Sequence, residues 1–477
     1  LELRGFRHTC LAEQVNNWLA ALLGLTLLRL ILSGLIPLSP DETYYWLWSV
    51  NLQPGYFDHP PMVALWMRAG TLLLGPTPLG VRLFGPLAAA VGSVLLWRAG
   101  EDLFPKRHAG LLAAALLNAT LMLGVGAIIM TPDTPLLFFW TAVIAGAGRW
   151  VATRDDRWWL AIGAAAGCAL LSKYTAVFLI IGVFSWLLFR RDGRAALKTP
   201  WPWAAVLLAA CIFAPNIWWN ATHGWVSYLK QGSRVTSFDV SRSAQFLVEL
   251  LVGQFALATP LVAGMAAVGF WRLLQSRAAG PALIFWLALL PGWAFVEHVV
   301  SGRVQANWPA VIYPACCLAA ATLPEKTAIT WAKPAIGLGF AITLLTYAQA
   351  LAAPFPIPAT WDPSALQLSG WRDVAAEVAA SGPGFVTADD YATDAELAYY
   401  APAGVAVAGI GARWHYLGMN SSPKLAGATG IMLTRHTDTY CANPVGHLTR
   451  NRGTEIVSSY RLCRITAPKG AILLPRP

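Results

Sequence analysis

The chain has 477 residues, 56% of them hydrophobic and only 12% charged, whereas a soluble domain carries about 25% charge. That composition excludes a soluble protein for most of the length and describes an integral membrane protein. The formal net charge is +10, but the basic residues fall mainly in short loops between apolar runs, so the charge speaks for membrane orientation and against a nucleic-acid partner.

About eleven apolar runs approach the ~20 residues needed to cross a bilayer. They lie near 17–38, 81–98, 109–129, 134–150, 158–172, 175–189, 201–219, 246–270, 281–298, 308–322 and 329–351. The first shows no small-residue cleavage site and reads as an anchor. A large loop, 39–80, follows it. Within that loop the stretch SPDETYYWLWSVNLQPGYFDHPP combines three carboxylates with a dense set of aromatic rings. Such rings suit a membrane interface, but carboxylates there are costly unless partnered. The run 62–75 is short for a span and is expected to lie in the interface. Arg29 is the one charge expected in the middle of a span.

The Lys/Arg bias sets the topology. One set of loops, with the N-terminus, carries about sixteen basic residues and the opposite set about six. The N-terminus is therefore expected in the cytoplasm and, with an odd number of spans, the C-terminus outside. A membrane domain over 1–352, a proline-rich linker over 353–362 and a soluble domain over 363–477 are the expected divisions. In the last, GWRDVAAEVAA predicts an amphipathic helix and GFVTADDYATDAELAYY a strand, turn and helix, as in a small α/β domain. The chain has seven cysteines without metal-site spacing. Cys441 and Cys463 are those of the C-terminal domain; spacing alone does not decide whether they pair, and an oxidising compartment favours a bridge.

This topology, drawn from apolar runs and Lys/Arg counts, puts a particular set of polar residues on the outer face. They are Asp41, Glu42, Asp58, His59, Asp133, Lys173, Tyr174, Asn216, Asn220, His223, Lys230, Gln231, Arg234, Glu297, His298, Arg303, Gln305 and Asn307. Asp133 lies between Pro132 and Pro135, where a helix N-cap is the plain alternative to a functional carboxylate. For Lys173 the alternative is snorkelling to the interface, and for a lone loop histidine a surface position. The chemistry that fits the set is group transfer at the outer interface. A carboxylate serves as general base on an acceptor hydroxyl, and cations bind and stabilise a leaving phosphate. A transporter would instead gather its charges near the midplane.

DETYYW with GYFDHPP, then TPDTPLLFF, LLSKYT and PNIWWNATHGWVSYLKQ, taken in this order over roughly residues 15–350, resemble the GT-C superfamily of polyprenyl-phosphate-sugar glycosyltransferases. The similar branch is related to protein O-mannosyltransferases and includes the lipid A aminoarabinose transferases and the rhizobial lipopolysaccharide galacturonosyltransferases. The resemblance implies a GT-C fold and a polyprenyl (undecaprenyl) phosphate sugar as donor. It implies a lipid or glycan acceptor such as lipid A on the periplasmic face of a bacterial inner membrane, and inversion at the anomeric carbon. The family's acidic pair maps to Asp41, the expected base, and Glu42; a later acidic residue maps to Asp133. Asp58 and His59 match an acidic-basic pair before two prolines, with histidine where the aminoarabinose transferases have lysine. Tyr44 and Tyr45 are expected to seat the sugar, and Lys173, Lys230, Arg234 and Arg303 to supply cations. Tyr174, Asn220, His223, Gln231 and Asn307 complete the expected substrate-binding set. Some members bind a divalent metal ion near the donor phosphate and others have no established need, so His59, His223, His298 and the carboxylates stand as open ligands. A protein O-glycosyltransferase, a lipid-linked sugar flippase and a structural scaffold are the rival readings.

Overall fold

The computed structural model describes residues 2–105, 109–232, 240–276, 278–382, 384–436, 441 and 444–477. The chain divides into two units. One, the membrane unit, comprises Leu1–Ile31, Asp58–Met62 and Phe84–Leu344; the other, the composite unit, comprises Leu32–Phe57, Val63–Leu83 and Leu345–Pro477. The sequence predicted a border near 352, with the loop 39–80 belonging to the membrane domain. Most of that loop instead groups with the C-terminal residues, because its helix Pro40–Val50 packs on the C-terminal helix Tyr391–Tyr400.

Among the described residues six helices are long and apolar enough to cross a membrane: Glu13–Leu35, Pro78–Leu103, Asp133–Thr153, Trp201–Thr222, Ala279–Val299 and Glu325–Ala352. The other runs expected to span form shorter or broken helices. The run 246–270, expected as one straight span, is bent by 103° between Ser241–Ala258 and Pro260–Leu273. Proline has no N–H to continue the helix and pushes the residue before it out of the α region; Thr259, at the break, has a positive φ of +67°. The run 109–129 breaks after Asn118, where the Thr120 hydroxyl caps Leu121–Gly126 by accepting from the Leu123 N–H at 3.2 Å. The run after the double proline is the helix Met62–Leu74.

Small residues let the helices of the membrane unit approach closely. A Cβ on Gly163 would lie 2.5 Å from the carbonyl oxygen of Ala205, and one on Gly269 only 2.2 Å from that of Ala319. Arg29 is buried and donates to the Asn118 side chain at 2.8 Å; Asn118 in turn donates to Ser93 at 2.7 Å. The mid-span charge thus belongs to a packed polar network.

In the composite unit the strands Val386–Ala388 (β1), Ala408–Gly409 (β2), Thr429–Thr434 (β3), Gly446–Arg452 (β4), Glu455–Thr466 (β5) and Ile472–Leu473 (β6) form two sheets. The larger has the order β1-β3-β5-β4, with β1 and β3 parallel and the other pairs antiparallel; β2 and β6 pair separately. The expected amphipathic helix is Trp371–Ala380, which buries Trp371, Val374, Ala375 and Val378. The expected strand, turn and helix are β1, the cap Asp390 and Tyr391–Tyr400; the Asp390 carboxylate accepts from the Thr393 N–H at 2.9 Å. Cys441 and Cys463 are joined by a disulfide, as the oxidising compartment favoured.

Candidate active site

In the composite unit the site is built on the helix Pro40–Val50. Ser39 starts it, with Pro40 in the first turn. The Ser39 N–H and hydroxyl both donate to the Glu42 carboxylate at 3.0 Å, which ties up the helix start. Glu42 is fully buried and also pairs with Arg82, whose Nε and Nη2 donate to its two oxygens at 2.6 and 2.7 Å. Arg82 spends its remaining donors on the carbonyls of Ser33, Ile36 and Pro37. Glu42, expected in the catalytic set, is therefore a sealed structural carboxylate that fixes the entry of the chain into this helix.

Its neighbour Asp41 is exposed. The Tyr391 hydroxyl donates to Asp41 Oδ1 at 3.2 Å. The Arg413 guanidinium lies 3.9 Å from the centre of the Tyr391 ring, 5.2 Å from that of Phe57 and 5.5 Å from that of Tyr44. Tyr44 and Tyr45 were expected to seat a sugar; at 2% and 7% exposed they are packing groups, with Tyr44 against Tyr391 and Trp414 and Tyr45 against Trp48.

In the membrane unit Asp133 opens the helix Asp133–Thr153 but does not cap it. Lys173 donates to its Oδ1 at 2.6 Å, and the Asn307 amide to its Oδ2 at 2.7 Å. Lys173 occupies the extended break after Trp158–Ser172, is buried, and places Nζ 5.5 Å from the Trp308 ring centre. A buried charge persists only where it is partnered, and here three separate chain segments supply the partners. The Tyr174 hydroxyl accepts from the Asn220 amide at 3.3 Å. Gln231 donates to the backbone carbonyl of Asp58 at 2.8 Å, which brings the 58–59 pair to the helix Val226–Gly232, the element that also carries Lys230. His223 is exposed and stacks on Trp219 with ring centres 4.2 Å apart. Arg303 forms an exposed ion pair with Glu249 at 2.7 Å. Arg234 lies outside the described residues.

Among the described residues no three His, Cys, Asp or Glu side chains are grouped to hold a metal ion, and Asp133 is matched by an ammonium group.

Sequence reasoning missed Arg82, Tyr391, Arg413 and Glu396. A charge at the edge of an apolar run was the available signal for Arg82. Glu396 is fully buried; its Oε1 accepts from the Thr43 hydroxyl at 3.3 Å, and among the described residues nothing hydrogen-bonds its Oε2. Burial pushes its carboxyl well above the usual range. The fold therefore holds a proton that the unfolded chain releases from about pH 4 upward, so stability falls as pH rises between the unfolded and the folded titrations. Glu396→Gln is expected to be more stable than wild type at pH 7, by at most about 1.4 kcal/mol per pH unit of that window, and equal to it near pH 4. Melting curves at both pH values check this; a less stable variant at pH 7 refutes it.

A family model described as dolichyl-phosphate-mannose-protein mannosyltransferase matches residues 58–219. The lipid A galacturonosyltransferase RgtD of Rhizobium johnstonii is 26% identical over 346 residues, 72% of this chain and 71% of that protein. The crystal structure of ArnT from Cupriavidus metallidurans bound to undecaprenyl phosphate is 15% identical, with a TM-score of 0.61 over 94% of this chain and 98% of that one; the apo form gives 0.62. At that identity the structural match speaks for the fold. The family model and the sequence relative, with the ordered motifs, support a GT-C superfamily glycosyltransferase.

Proposed function

We propose that this membrane enzyme moves a sugar from a polyprenyl-phosphate donor to lipid A, with inversion at the anomeric carbon. The observation that carries the reading is the exposed Asp41 carboxylate beside a fully buried Glu42 that is bound by Arg82 and Ser39, so that Asp41 is the carboxylate of the pair that faces solvent. The sequence relative is a lipid A galacturonosyltransferase, and the solved structure sharing the fold holds undecaprenyl phosphate; both support the donor and acceptor classes. The Cys441–Cys463 disulfide supports a periplasmic composite unit at the inner membrane.

In this reaction Asp41 takes the proton of an acceptor hydroxyl as the hydroxyl oxygen bonds to the anomeric carbon. The bond from that carbon to the phosphate oxygen breaks, and polyprenyl phosphate leaves with the electron pair. A fixed cation lowers the cost of the charge that develops on the leaving group. Lys173, held by Asp133, whose other oxygen accepts from the Asn307 amide, is the residue we assign to the donor phosphate.

The test is transfer by the purified protein from undecaprenyl-phosphate sugars to lipid A, read by mass spectrometry. One added glycosyl residue is expected, and Lys173→Met should raise the KM for the donor. Sugar found on protein instead of lipid A overturns the acceptor; donor moved across vesicles without transfer overturns the enzyme.

A further inference from the structure

The proposed base belongs to the first loop, yet the groups that approach it come from the far end of the chain. Tyr391 opens the helix Tyr391–Tyr400, immediately after its cap Asp390. That helix is fastened to the loop at several points besides Asp41. Glu396 takes the Thr43 hydroxyl, Tyr400 receives the Leu38 N–H at 3.2 Å, and the Trp46 and Tyr399 rings meet at 5.1 Å. The phenol of Tyr391 is thus set by a packed helix and not by a mobile loop.

From this geometry we infer that Tyr391 is a positioning residue for transfer, holding the Asp41 carboxylate through its hydroxyl, and that Arg413 strengthens that hold by lying over the Tyr391 ring. The inference rests on Asp41 as the base. A hydrogen bond to the charged form of a carboxylate favours that form. A cation on the face of a phenol ring stabilises negative charge developing on its oxygen, which makes the hydroxyl a better donor. The bond also restrains the orientation of the carboxylate.

Other ionisable groups on the packed elements make contacts of their own. Glu42 is bound by Arg82. Asp390 takes the N–H and hydroxyl of Thr393. Asp394 takes the Ala388 N–H at 2.5 Å and the Trp414 indole at 2.9 Å. Glu396 is bonded to Thr43. Tyr391 and Arg413 contribute to the local charge balance at Asp41.

The experiment is a pH–rate profile of the full chain with its lipid-linked donor, for wild type, Asp41→Asn, Tyr391→Phe, Arg413→Met and Arg413→Lys. Tyr391→Phe is expected to lower kcat about 10- to 100-fold, the range of a charge-assisted hydrogen bond. It should move the acid limb up by about half a unit to one unit, with the KM for the donor and the melting temperature little changed. Arg413→Met should shift the limb in the same direction by less, and Arg413→Lys should recover most of the loss. A purely structural role would lower the melting temperature without moving the limb. If Asp41→Asn is inactive but Tyr391→Phe keeps the wild-type profile, the positioning role is overturned while the base stands. If Asp41→Asn is fully active, both fall. Should Tyr391→Phe fail to fold, the two Arg413 variants decide: identical profiles for Met and Lys refute the inference.

Discussion

Replacing Asp41 with asparagine is expected to cut turnover about 10²–10⁴-fold, the usual contribution of a general base, in a protein that still inserts and folds. Asparagine keeps the shape, and its carbonyl still accepts from the Tyr391 hydroxyl that reaches Asp41 Oδ1 at 3.2 Å. The helix start does not depend on Asp41, because Ser39 and Glu42 make the capping contacts. Donor affinity should survive, since removing a negative charge does not oppose a phosphate. Steady-state transfer and a direct donor-binding measurement separate the two effects. Wild-type turnover in a well-folded Asp41→Asn protein removes Asp41 from the mechanism and makes Asp58, the next carboxylate in the chain, the first to test.

Arg82→Met should be the most damaging single change to the composite unit. It strands the fully buried Glu42 without its cation and also abandons the three carbonyls of Ser33, Ile36 and Pro37. Breaking a buried pair from one side typically costs about 3–5 kcal/mol, so low yield or a strongly lowered melting temperature is expected. The double variant Glu42→Met with Arg82→Met should recover much of the loss, because an apolar pair of similar volume avoids the stranded charge. A single variant as stable as wild type would show that the ion pair does not hold this helix.

The membrane architecture was readable because apolar length is a local property: every run expected as a span is helical. The sharp bend at Thr259 was also written locally, in the proline that follows it, but a continuous hydropathy run conceals a single backbone reversal. Residue types were legible in the sequence, but their pairings were not. Asp133 and Lys173 were both singled out, yet nothing local says that a residue 40 positions on will meet the carboxylate. Asp41 and Glu42 look equivalent in sequence. Their opposite fates follow from Arg82, which lies at the edge of an apolar run, and from Tyr391, 350 residues away. The packing of Pro40–Val50 on Tyr391–Tyr400 likewise has no signature in either segment alone.

That the composite unit draws on Leu32–Phe57, Val63–Leu83 and Leu345–Pro477 has a consequence for biosynthesis. A ribosome adds ~5–20 residues per second, so the loop bearing Asp41 waits on the order of tens of seconds before its partner segment exists. During that interval its buried Tyr44, Trp46 and Glu396-facing Thr43 have nothing from the C-terminal segment to pack on. The loop can complete its fold only when the last quarter of the polypeptide arrives. A prematurely terminated chain would therefore sit in the bilayer with its spans inserted and the Asp41 loop unsupported, and sugar transfer is expected to begin only once translation is complete.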